Sequence, residues 1–186
     1  MSTLFTPNIH TARLILRPLT PQDAPALLAI FSDPQVMRYW NTGPWSDLKT
    51  AQDFINSSAE AMDKQESLTL GIVRKDSAEL IGKCMLFSYA ATSKRAEIGF
   101  AIGAAHWGLG FVPEASQALL NYGFDSLRLR RIEAEIDPDN VASGKTLERL
   151  GFAKEGYLRQ RWEVNGVVSD SALYGMLASD RAASMP

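Results

Sequence analysis

The chain of 186 residues holds a single cysteine, Cys84, so it can form no internal disulfide, and a reducing compartment is expected. Histidine is almost as scarce: His10 and His106 are the only two. With one cysteine they offer no metal-ligand spacing, and no metal is expected. Charge of one sign is not in excess either. The net charge is -2 and the pI about 5.7, which gives no general drive toward nucleic acid or an anionic membrane. No apolar run is long enough to span a bilayer. The opening MSTLFTPNIH lacks the basic and apolar regions of a signal peptide. No repeat, low-complexity tract or linker divides the chain. These absences point to one cytoplasmic domain over residues 1–186, with a frayed tail from about 178.

What is present is an ordinary globular composition, 46% hydrophobic and 22% charged. RLILRPL (13–19) alternates as a strand, and PQDAPALLAIF (21–31) reads as a helix. An aromatic loop, MRYWNTGPW (37–45), leads to a second helix from about Ser46, a plausible cap, to about Lys64. SLTLGIVRK (67–75) and ELIGKCMLFSYA (79–90) read as a hairpin, followed by the strand KRAEIGFAI (94–102). A third helix has Pro113 in its first turn. RRIEAEI (130–136) is a strand, and 139–151 a short helix capped by Asp139 or Asn140 and stopped by Gly151. The chain closes with a hairpin turning at Asn165-Gly166. The order implies an α+β (mixed α/β) fold: a mostly antiparallel sheet of about seven strands flanked by about four helices.

The most informative segment is AHWGLGFVPEA (105–115). A strand runs into a turn with Gly108 and Gly110, and the turn opens into a helix. Glycine lets the backbone curl so that successive N–H groups point into one cavity, and the helix adds unpaired donors and a positive dipole end. The arrangement suits a phosphate or pyrophosphate. A dinucleotide-binding G-x-G-x-x-G is excluded because Pro113 stands at the third glycine and the motif lies mid-chain. SGKT (143–146) is not a P-loop, because the required upstream glycine is Asp139. A packing turn without a ligand is the plain alternative.

The order of elements decides between them. The opening strand and helix, RAEIGFAI, HWGLGFVPEA and RIEAEIDPDNVASGKTLERLGFAKEG together resemble the GNAT superfamily of acetyl-CoA-dependent N-acetyltransferases. Within it the chain resembles the bacterial ribosomal-protein N-terminal acetyltransferases (the Rim-like branch). The superfamily's pyrophosphate loop is usually (Q/R)-x-x-G-x-(G/A), and here Trp107 and Val112 stand at its first and last positions. The loop works through backbone N–H groups, so this departure bears on a side-chain contact. The resemblance implies a GNAT-type fold, acetyl-CoA as cofactor and direct transfer to an amine. It implies cofactor contacts from Phe100, Ala101 and Ile102, from Trp107, Gly108, Leu109, Gly110, Phe111 and Val112, and from Asn140, Ser143 and Lys145. The cofactor cleft is expected where the 96–103 and 131–137 strands diverge.

Acetyl transfer to an amine requires a neutral amine, a stabilised carbonyl oxygen and a protonated leaving thiolate. Period two places Ala96, Ile98, Phe100 and Ile102 on one face of the strand, and Glu97, Gly99, Ala101 and Gly103 on the other. Glu97, a carboxylate among small residues, is the candidate base, against the alternative of an exposed sheet glutamate. By the resemblance Ser143 donates a proton or hydrogen bond to the leaving sulfur, although Tyr157 or another tyrosine stays open and a solvated first-turn serine is the alternative, and Asn140 bonds the pantetheine arm as well as serving as a cap. Lys145 either meets the nucleotide phosphate or is a solvated helix charge. Tyr39, Trp40, Trp45 and Arg161 are candidates for the acceptor pocket; the alternative is that the aromatics anchor their loop to the core. An α-amine is about a tenth neutral at pH 7, a lysine less than about a thousandth. A modest carboxylate relay therefore suits a protein N-terminus, with a small-molecule amine as the alternative acceptor. An acyl-CoA-binding module without turnover is the competing class. A homodimer is admitted, and no nucleic acid or membrane partner is expected.

Overall fold

The computed structural model describes residues 6–183. In chain order it comprises β1 (Ile9–His10), β2 (Leu14–Pro18), α1 (Ala24–Phe31), α2 (Pro34–Met37), α3 (Leu48–Asp63), β3 (Leu68–Arg74), β4 (Leu80–Ala90), β5 (Arg95–Ile102), α4 (Phe111–Asp125), β6 (Arg131–Ile136), α5 (Val141–Arg149), β7 (Ala153–Val164), β8 (Val167–Leu177) and α6 (Ala178–Ala183). The strands form one sheet in the order β1-β2-β3-β4-β5-β6-β8-β7. Every neighbouring pair is antiparallel except β5 and β6. The eight strands and six α-helices make the expected mixed, mostly antiparallel GNAT-type fold.

Alternation along the strands sorts the core into two layers. Leu14, Leu16, Leu70, Ile72, Ala96, Ile98 and Ile132 face α4 and α5, which contribute Phe111, Ala115, Leu119, Leu120 and Leu147. Val73, Leu80 and Ala101 face the other way, against Leu27, Phe31, Met37, Ala51 and Ile55 of the first three helices. Each fully buried Leu, Ile or Phe contributes roughly 1.5–3 kcal/mol, so both layers are needed.

Three local expectations change. The second long helix is capped by Asp47, whose carboxylate accepts from Thr50 N at 2.8 Å. Ser46 instead donates to Asp47, because a charged oxygen is the stronger acceptor for first-turn N–H groups. A four-residue helix, α2, begun by Asp33 and Pro34, stands just before the aromatic loop in residues left unassigned, and takes only Met37 from it. Residues 178–183, read as part of a frayed tail, form α6, and Arg181 ties that helix to Asp125 at 2.7 Å. Residues 184–186 of that tail lie outside the described residues.

Candidate active site

β5 and β6 run parallel for only three residue pairs, ending at Glu97↔Glu133. Beyond that point β5 stays paired to β4 as far as Ile102↔Gly82, while β6 follows β8 as far as Ile136↔Ala172. The strands therefore fork, and one backbone edge of residues 98–102 has no strand partner. Phe100 packs on the α4 layer, and Ala101 and Ile102 are buried in opposite layers, so these three offer a ligand their backbone more than their side chains. Backbone donors left unpaired beside a cleft demand a partner.

The turn after β5 closes one end of the fork. Gly108 and Gly110 adopt φ of +74° and +79°, which explains why glycine stands at both. Among the described residues no hydrogen bond uses the N–H groups of Leu109, Gly110, Phe111 or Val112. The turn is braced from outside. Arg13 donates to Leu109 O at 2.9 Å and to Glu114 at 2.7 Å, and its guanidinium lies 4.4 Å from the Phe111 ring centre. Burial pushes the Glu114 carboxyl up, but hydrogen bonds from Thr11 and Arg13 outweigh it and hold the group below the usual carboxylate range. Trp107 donates through Nε1 to Ile102 O at 3.0 Å, so its ring folds back along β5.

α5 forms the far wall. Asn140 caps it by accepting from Ser143 N at 3.2 Å, which uses the amide oxygen and leaves the NH₂ group to other partners. Ser143 is half-buried, while Lys145 is exposed. Gly144 lets the helix sit close over β8: a first side-chain carbon there would stand 3.2 Å from the Tyr174 hydroxyl. The Tyr174 hydroxyl therefore lies against α5 one residue along from Ser143, and burial, with the charge of Glu148 adding to it, holds its phenol above the usual range. Tyr157 is differently placed. Its hydroxyl donates to the Asp170 carboxylate, a bond that raises its pKa and occupies its proton.

The opposite face of the fork carries the residues expected to border an acceptor. Cross-strand partners share a face, so Phe87, Met85 and Lys83 lie beside Glu97, Gly99 and Ala101. Glu97 has no hydrogen-bond or ion-pair partner for its carboxylate among the described residues, whereas its neighbour Glu133 is tied to Arg95 and Arg131 at 2.6 Å each. Glu135, past the fork on β6, accepts through one oxygen from Ser171, Trp162 Nε1 and Arg161 at 2.7, 2.8 and 3.2 Å. Burial raises its pKa, but these three donors outweigh burial, so it is a firm anion. Trp45 stacks on Phe31 at 4.7 Å and tilts against Phe54, so it anchors its loop to the core. Trp40 meets Phe31 edge-on at 5.9 Å and is half-buried, as is Tyr39, which takes Arg38 against its ring.

Sequence reasoning missed four residues here: Arg13, Lys83, Glu135 and Tyr174. Glu135 was findable, since period two from Glu133 places it on the same face of RIEAEI. Arg13, Lys83 and Tyr174 act across distant elements, and no local pattern marks them.

The family model for the acetyltransferase (GNAT) domain matches residues 13–153. The uncharacterised N-acetyltransferase p20 of Bacillus licheniformis is 38% identical over 175 residues, 94% of this chain and 98% of that one. A Vibrio cholerae structure, described only provisionally as a ribosomal-protein-serine acetyltransferase, superposes with a TM-score of 0.79 at 25% identity, covering 92% of this chain and 99% of its own. The Vibrio cholerae spermidine N-acetyltransferase bound to CoA and spermine shares the fold, with a TM-score of 0.82 at 23% identity over 92% and 99% of the two chains. The chain belongs to the GNAT acetyltransferases, acyltransferases that draw their acetyl group from acetyl-CoA.

Proposed function

We propose that this enzyme acetylates protein N-terminal α-amines of the ribosomal-protein type, through the fork between β5 and β6. The observation that carries the reading is Glu97, an unpaired carboxylate at the crotch of the fork on the acceptor side. Acetyl-CoA supplies a thioester that the amine attacks directly. Glu97 accepts the amine's proton, directly or through one water. The unpaired backbone edge of residues 98–102 supplies N–H donors to the carbonyl oxygen as charge gathers there. The turn 107–112 and the start of α4 hold the pyrophosphate, and Asn140 steadies the pantetheine arm. Ser143 donates a hydrogen bond to the leaving thiolate and relays to it a proton that it takes in turn from solvent water. Tyr157 is the weaker choice for that step because Asp170 already holds its proton. Lys145 reaches nucleotide phosphate from the exposed face of α5. Trp40, Tyr39 and Arg161 border the acceptor, with Trp45 behind them. The reading carries with it a cytoplasmic location and admits a homodimer.

An α-amine, about a tenth neutral at pH 7, needs no stronger base than this carboxylate. The provisional ribosomal-protein description of a relative at 25% identity supports the same acceptor. The spermine-bound relative keeps a small polyamine as the second reading. CoA release across an amine panel separates them. Peptides with free serine or alanine N-termini are expected to give release that vanishes on N-blocking, while release with polyamines or aminoglycosides alone overturns the reading. Silence across the panel leaves a binding module. Glu97→Gln is expected to cut kcat by about 10²-fold while acetyl-CoA binding persists. An unchanged pH–rate profile removes Glu97 from the reaction.

A further inference from the structure

Lys83, on the acceptor face, is fully enclosed: it is 3% exposed and sits in the middle of β4. No carboxylate pairs with it among the described residues. Its ammonium lies 4.7 Å from the ring centre of Phe54, 4.9 Å from Trp40 and 5.2 Å from Phe31. These rings come from α3, the turn after α2, and the end of α1. Its single hydrogen bond runs to Met85 Sδ at 3.6 Å, which shows that the chain leans along β4 toward Met85. That sulfur stands 3.8 Å from the place a side chain at Gly99 would begin. The ammonium is thus two short steps from Gly99, the bare position on the floor of the fork. Glu97 lies on the other side of Gly99, one alternation further along the same face. Burial pushes the lysine down to about 8, so at pH 7 it is still charged in about nine molecules of ten.

We propose that Lys83 determines acceptor specificity: it gives the floor of the acceptor pocket two opposite charges on either side of Gly99, Glu97 at the surface and Lys83 enclosed beneath it. Such a floor fits an amine followed at once by a carbonyl oxygen, as in a peptide N-terminus. It is hostile to an amine followed by a second ammonium, as in a polyamine. The aromatic cage holds the charge in place without neutralising it, since ring quadrupoles attract a cation but carry no net charge. Carboxylates on the same face do not cancel it. Glu133 and Glu135 are engaged by arginines, and Asp23 is paired with Arg17 at 2.8 Å. Two like charges about 8 Å apart in such surroundings change an equilibrium by about 30-fold. The proposal deepens the N-terminal reading and rests on it for the preferred acceptor, but the charge itself can be tested apart from it.

The probe is a matched pair, a monoamine and the diamine of the same chain length, alongside a peptide with a free N-terminus. The ratio of kcat/KM for monoamine over diamine is measured in the wild type, Lys83→Met, Lys83→Gln and Lys83→Arg. The neutral variants are expected to lower the ratio at least tenfold, and Lys83→Arg to keep it within about threefold. Acetyl-CoA affinity within about threefold of the wild type shows which variants are folded. A ratio unchanged in a folded neutral variant overturns the proposal. Failure of the peptide as a substrate, with the ratio still shifting as expected, removes the N-terminal reading and leaves the role of Lys83 standing.

Discussion

Replacing Lys83 by methionine should change how the fold responds to alkali. Burial lowers the lysine from an ordinary 10.5 to about 8. Below about pH 8 both folded and unfolded chains carry the charge, and the full penalty of burying it is present. Between about 8 and 10.5 the folded chain has released a proton that the unfolded chain still holds, so stability rises with pH by about 1.4 kcal/mol per unit. Over the whole window the gain is about 3 kcal/mol. Cys84 opposes it: burial pushes the thiol from 9.0 to about 12, so above about 9 the unfolded chain ionises first and stability falls. The wild-type profile alone therefore rises only between about 8 and 9 and levels off above that, hiding most of the lysine's gain. The difference between wild type and Lys83→Met isolates the lysine, since both keep Cys84. Methionine has nearly the same length and no charge, and such replacements of buried charge are often neutral or stabilising. Urea unfolding at pH 7.5 and 10 should show the wild type gaining about 2.5 kcal/mol relative to the variant. A difference independent of pH within about 0.5 kcal/mol would refute the claim that a charged lysine is buried here.

Two further outcomes test the cofactor side. Gly110→Arg forces an L-residue into φ of +79°, with its first side-chain carbon 3.4 Å from Arg13 Nη2. Acetyl-CoA affinity measured by calorimetry should fall at least tenfold, and an undiminished affinity would remove the turn from the pyrophosphate site. Ser143→Ala and Tyr174→Phe separate the two hydroxyls beside α5 as sources of the thiolate's proton. Ser143→Ala should lower kcat by about 10²-fold with little change in the acetyl-CoA KM, and the same loss in Tyr174→Phe alone would transfer the proton donor to Tyr174.

The fold was legible where a residue's neighbours in sequence are also its neighbours in space. Alternation in RAEIGFAI sorted Ala96, Ile98, Phe100 and Ile102 from Glu97, Gly99 and Ala101, and the burial follows that division as far as Gly99; beyond it Phe100 is half-buried and Ala101 is buried under the first helices. Gly108 and Gly110 announced their turn because positive φ is a local demand. The helix end at 178–183 was hidden, because Arg181 takes its partners from α4, more than fifty residues earlier. The brace from Arg13 to Glu114 spans about a hundred residues, and nothing around Arg13 distinguishes it from any strand-end arginine. Lys83 is the sharpest case. A lysine in an apolar strand reads as an edge or bulge until Phe31, Trp40 and Phe54 are seen to converge on it. The aromatic loop divided accordingly: Trp45 serves as ballast for the core, while Trp40 caps the buried charge.

The fork has a mechanical meaning as well as a chemical one. Five strands on one side and three on the other are stitched together by the pairs Arg95↔Arg131, Ala96↔Ile132 and Glu97↔Glu133. Past those stitches the seam is open, and α4 with its packing is the main strap across it. A molecule seated in the seam touches both halves at once and acts as a rivet between them. Amide exchange along residues 98–102 and 134–136 should therefore slow together when the rivet is in place, even in residues that never touch it.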